Sequence, residues 1–135
     1  MALQLSVAVR NARLDVIEST IGAAPILRVF TGAMPATTAT ASSGTQVASM
    51  TLPSDWMGNA ANGVKQQSGT WSEPAADATG TAGYFRIFDS SGSTCHLQGT
   101  VTATGGGGDM TVDNTSFAVN QAFNITSFTL TEANA

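Results

Sequence analysis

YFRIFD (84–89), SSGS (90–93) and TCHLQGTVTAT (94–104) form the stretch on which the fold turns. Two alternating apolar and polar runs flank a short link containing Gly92, the pattern of a β-hairpin. Downstream, Gly105–Gly108 lead into DMTVD (109–113), and the chain closes with FNITSFTLT (123–131). Ile125 and Phe128 are out of phase in that last run, which predicts a bulge. Upstream, ILRVF (26–30) alternates, and TQVASMTL (45–52) sets Val47 in opposite phase to Ala48, Met50 and Leu52 before Pro53 ends the run. Residues 64–71 read as a weak strand. Thr31–Gly44 and residues 72–83 read as loops by composition. Seven or eight short strands predict an antiparallel β-sandwich, with a jelly roll as the expected subtype.

Before the first strand lies one helix. Ser6 is placed to cap Val7–Ile21, and Gly22 followed by Pro25 ends it. At 100° per residue, Leu3, Val7, Leu14, Ile17 and Ile21 make one apolar stripe, and Leu5, Val9, Ala12 and Val16 a second one roughly opposite. Asn11, Asp15 and Glu18 occupy the strip between them on one side and Arg13 the strip on the other. The division expected is a helical arm over 1–24 and a sandwich over 25–135. One stripe suffices for packing on a sheet; the other either rests under the Thr31–Gly44 loop or meets a partner.

Composition bounds the function. A chain of 135 residues is the size of one domain, and its 27 Leu, Ile, Val and Phe residues supply only a thin core. Charged residues are 10% of the chain, against roughly 25% in ordinary domains, so little repulsion keeps this surface from docking on another. The net charge of −4 and five scattered Lys and Arg residues argue against nucleic acid, which calls for a basic stripe. No window approaches the ~18 apolar residues of a membrane span. Arg10 and Arg13 interrupt what would be the apolar stretch of an export signal. The single Cys95 excludes an internal disulfide, so folding in a reducing cytoplasm is expected.

Catalytic chemistry is not expected. His96 and Cys95 are the sole residues of their types, and adjacent strand residues face opposite ways, so they do not form a nucleophile and base pair. No serine lies in a Gly-x-Ser-x-Gly context. A zinc site on one His and one Cys would need two carboxylates besides, and Asp109, Asp113 and Asn114 lack the spacing of a calcium loop. Gly105–Gly108 are not followed by the Lys-Ser or Lys-Thr of a phosphate loop, so a flexible hairpin tip is the expectation. No cofactor or metal is expected. Trp56 and Trp71 lie in or beside loops, where each either anchors an interface or stacks on a sugar, or else plugs a thin core. The candidate contact residues are Leu5, Val9, Ala12, Val16 and Trp56.

LQLSVAVRNARLDVIESTIGAAPILRVFTGAMPA (3–36), LPSDWM (52–57), GTAGYFRIFDSSGSTCHLQGTVTATGGGGDMTVDNTS (80–116) and FTLTEANA (128–135) together resemble the small cement, or decoration, proteins encoded beside the major capsid protein in tailed bacteriophages. The resemblance is one of overall pattern and spans nearly the whole chain. It implies a virion protein, made in the host bacterial cytoplasm, that sits on the outer capsid surface as a dimer or trimer. There it would bind the major capsid protein, bridge neighbouring capsomers and perform no catalysis. A tail or fibre component, or a carbohydrate-binding module using Trp56, Trp71 or Tyr84, are the other readings.

Overall fold

The computed structural model describes residues 3–132. Helix α1 (Val7–Ile21) precedes nine strands: β1 (Ile26–Thr31), β2 (Gln46–Thr51), β3 (Val64–Gln66), β4 (Ser72–Glu73), β5 (Gly80–Phe88), β6 (Cys95–Ala103), β7 (Met110–Val112), β8 (Ser116–Phe117) and β9 (Phe123–Thr131). The protein is mainly β, an open mixed sheet consistent with a sandwich carrying one N-terminal helix. The helix ends fall where local chemistry sets them: Ser6 Oγ accepts from the Val9 amide at 3.3 Å, and the Gly22 amide donates to Glu18 O at 2.9 Å.

The strands follow the path β2-β1-β5-β6-β7-β9-β3, with β4 added to β9 and β8 to the start of β5. The expected hairpin is β5–β6, its turn held by Asp89, whose Oδ1 accepts from the Ser91 hydroxyl and the Ser93 amide. The expected bulge is also present: Thr111 pairs with Ser127 and Val112 with Ile125, so Thr126 is skipped and both Ile125 and Phe128 are buried.

Two readings need correction. Residues 72–83 contain β4 and the first residues of β5. Their glycines looked like turn signals, but a Cβ at Gly83 would lie 2.1 Å from Gly32 O, so this glycine permits close approach of neighbouring backbone. The Gly105–Gly108 segment is not a hairpin tip, because β7 runs parallel to β6, Val101 beside Met110 and Ala103 beside Val112. Only residues 104–109 make the return, where parallel neighbours ordinarily need about a dozen or more. Glycine makes it possible: Gly105 and Gly107 have φ of +86° and +81°, and Gly106 and Gly108 lie flat on Thr102. Asp109 locks the return, its Oδ2 accepting from the Thr100 amide at 2.9 Å and hydroxyl at 3.0 Å. A parallel step departs from the wholly antiparallel jelly roll.

The core lies where the curled sheet faces itself. Phe85 of β5 meets Phe128 of β9 edge-on at 5.5 Å, Phe128 meets Trp71 at 5.5 Å, and Trp71 meets Trp56 at 6.0 Å. Each such pair contributes about 0.5–1.5 kcal/mol beyond area burial. Val47 and Ala48 are both buried despite their opposite phases, so β2 is covered on both sides. The outer face of β5 carries Tyr84 and Arg86, and the Thr31–Gly44 loop lies over it. Arg86 donates to Ser42 Oγ (2.8 Å) and to the carbonyls of Thr37 (3.2 Å), Thr38 (2.9 Å) and Thr40 (2.8 Å). The Tyr84 hydroxyl accepts from the Ser43 amide at 3.0 Å.

Candidate functional site

Helix α1 is seated through its polar strip. Asn11, Asp15 and Glu18 are spaced to share one helix face, and that face meets the segment leading into β3. Asn11 Oδ1 accepts from the Gly63 amide at 2.9 Å, and Asp15 Oδ1 from the Ala60 amide at 3.2 Å. Glu18 Oε1 accepts from the Met57 amide at 3.3 Å. The centre of the seat is Lys65, only 1% exposed, whose ammonium lies 2.7 Å from both Asp15 and Glu18 and 2.8 Å from Gly58 O. Three oxygens satisfy its three donors, which makes burial of the charge tolerable.

The electrostatics follow from those contacts. Burial works against the Lys65 charge, but the hydrogen bonds it donates to Asp15 and Glu18 outweigh it and raise its pKa above the ordinary lysine value. The Lys65 hydrogen bond, with the Ala60 amide, holds the Asp15 carboxyl below the usual carboxylate range. Two outer contacts extend the seat: Arg10 donates to Glu132 O at 3.2 Å, and Arg13 pairs with the Glu132 carboxylate at 2.7 Å on the surface.

The apolar stripes divide differently from their sequence reading. Leu14 and Ile21 are buried and Ile17 packs against the core, but Leu3 (81% exposed) and Val7 stay outside although they belong to the same stripe. In the second stripe Val9 and Val16 are 45% and 58% exposed and Ala12 is exposed, while Leu5 is half-buried ahead of the helix. The Thr31–Gly44 loop does not cover this stripe, since Arg86 and Tyr84 hold the loop on the β5 face. Val9, Ala12, Arg13 and Val16 line a shallow depression of about 430 Å³. Val16 is shared with a second one, about 210 Å³, bounded by Ile17, Thr20, Ile21 and His96. Three of the five expected contact residues are thus brought together on an exposed helix face.

Trp56 is not among them. It is fully buried, packs beside Trp71 and donates from Nε1 to Gly22 O at 3.0 Å, so it serves the core and the helix end. Trp71 and Tyr84 are likewise inside. Asp109 is used by Thr100 and Asp113 by Asn124. Among the described residues no group of three or more His, Cys, Asp and Glu side chains is placed to hold a metal ion, and no helix is long and apolar enough to cross a membrane. Sequence reading missed Lys65 and Arg86; the one available signal was the shared-face spacing of Asn11, Asp15 and Glu18. No protein-family model, curated protein or solved structure matches the chain.

Proposed function

We propose that the protein is a non-enzymatic capsid-decoration protein of a tailed phage, binding the outer surface of the shell and bridging neighbouring capsomers. The observation that carries this reading is the exposed Val9–Ala12–Val16 face, raised on a helix whose adjoining polar strip and opposite apolar stripe are tied to its own domain. A sparsely charged surface with a shallow apolar helix face suits contacts repeated many times, and repetition makes weak unit contacts hold. A protein that binds assembled shell but not free subunits stabilises the assembly by mass action, against the outward push of packaged DNA. No turnover is needed.

The carbohydrate-binding alternative loses support, because Trp56, Trp71 and Tyr84 are each at most 1% exposed and present no stacking surface. A tail or fibre role is separated from the capsid role by location. The test is quantitative: the protein should occur in purified virions at a copy number near that of the major capsid protein. Capsids lacking it should assemble with normal geometry yet lose DNA at lower temperature, and added protein should restore them with weak salt dependence. Capsids equally robust with and without it would refute the proposal.

A further inference from the structure

The link from α1 to β1, residues 22–25, is short and strained. Gly22 has φ +92° and Ala24 has φ +49°. Glycine takes up such a backbone freely, whereas alanine meets a steric penalty there. Pro25 adds to it, since the residue before a proline is driven toward extended backbone. Beyond this hinge, every group that receives the polar strip of α1 belongs to the domain: the amides of Met57, Ala60 and Gly63, and the Lys65 ammonium. An empty seat would strip Lys65 of both carboxylates and uncover the apolar surface against which Leu14 and Ile21 are buried, a costly state. The occupant must therefore offer an amide oxygen and two carboxylates at the spacing of Asn11, Asp15 and Glu18, and a second copy of this chain does so by identity.

We propose that α1 is an exchangeable strap, which leaves its own domain to dock on the Lys65 seat of a second copy and so links two chains. Extending the hinge lets Ala24 relax while every seat contact is re-formed, the circumstance in which exchange between identical chains costs little. The inference goes beyond the proposed function, adding contact between copies to contact with the shell, and fails separately from it. A chain that exchanges its strap in solution but does not enter virions refutes the capsid role alone.

Sedimentation of the full chain over a concentration series tests the exchange. Ala24→Gly removes the strain of the closed form and should lower the dimerisation constant; Ala24→Pro forbids φ +49° and should raise it, each by about 5- to 30-fold per arm. Because an ordinary side-by-side dimer could also respond, Lys65→Met chains are then mixed with Asp15→Asn/Glu18→Gln chains. Only the mixed dimer rebuilds a complete strap and seat, so it should outnumber the statistical expectation. Unchanged association in both Ala24 variants, or a purely statistical mixture, overturns the proposal. Should Lys65→Met fail to fold, Lys65→Gln, which keeps a donor beside Asp15 and Glu18 but loses the charge, takes its place in the mixture with the same expected and overturning outcomes.

Discussion

Alanine substitution in the Gly105–Gly108 return separates a packed connection from a flexible tip. In a flexible tip, each Gly→Ala change would be neutral or would stabilise by about 0.4–1 kcal/mol through the unfolded chain. The structure requires the opposite. A Cβ at Gly108 would lie 2.8 Å from both Cγ2 and Oγ1 of Thr102 and 3.0 Å from its backbone N, and one at Gly106 2.8 Å from Thr102 Cβ and Oγ1 and 3.0 Å from Ala103 O. Overpacking of this kind costs about 1–3 kcal/mol. Loss of the 3.0 Å hydrogen bond from the Gly108 amide to Thr102 Oγ1 adds about 1 kcal/mol more. The two sites also differ in their cure. Thr102→Ala deletes both side-chain atoms that obstruct Gly108→Ala but keeps the Cβ that obstructs Gly106→Ala. A double-mutant cycle by urea unfolding should therefore show coupling of about 1 kcal/mol or more for Thr102 with Gly108, and clearly less with Gly106. Gly108→Ala as stable as the parent protein, or equal coupling at both positions, would refute the packed parallel return.

Three further outcomes follow from the burial and the contacts. Leu14→Asp should destabilise by about 2–5 kcal/mol or more because it empties a core site and buries a charge, whereas Val16→Asp should stay within about 0.5 kcal/mol; equal loss in thermal melts would show that α1 does not present two distinct faces. Arg86→Met should cost on the order of 3 kcal/mol, since charged hydrogen bonds each contribute about 1.5–3 kcal/mol and four of them here share one side chain. Faster proteolytic nicking within residues 33–43 is the specific sign, and an unchanged cleavage rate would count against Arg86 as the loop's anchor. Stability should depend on pH at both ends of the seat. The Asp15 contribution is complete above its unfolded value of 3.8 and fades as pH falls through its lowered folded pKa; the Lys65 contribution is complete below 10.5 and fades as pH rises through its raised one. Asp15→Asn should flatten the acid limb, and an identical acid limb in that variant would remove Asp15 from the account.

The parts of the fold that were legible in the sequence are those fixed by nearby residues. Ser6 and Gly22 end α1 through hydrogen bonds reaching three or four residues, and the β5–β6 hairpin closes through Asp89 and the turn beside it. The bulge in β9 was legible because two apolar residues three apart can share a face only if the strand skips a residue. By contrast, the glycines of β5 and of the β6–β7 return look like any turn signal. Their meaning depends on what backbone or side chain lies against them, Gly32 in one case and Thr102 in the other, and composition carries no trace of that.

The candidate site divides along the same line. Val9, Ala12 and Val16 were readable as a second apolar face because helical periodicity is local, and their exposure follows from the opposite side of the helix being occupied. What occupies it was not readable. A strip of Asn, Asp and Glu on a helix is usually a water-facing surface, and Lys65, 50 residues beyond Asp15, with the amides of Met57, Ala60 and Gly63, converts it into the docking face. In a chain with five Lys and Arg residues, placing Lys65 inside as well as Arg86 spends scarce solubility, and a buried ion pair gives little net stability over an apolar substitute. Its physical consequence is register, since Lys65 is satisfied only when two carboxylates of the helix stand beside it at the spacing of Asp15 and Glu18. The Val9–Ala12–Val16 stripe of α1 is then left outward by exclusion, because the polar strip and the Leu14–Ile21 stripe already occupy the sides that meet the domain.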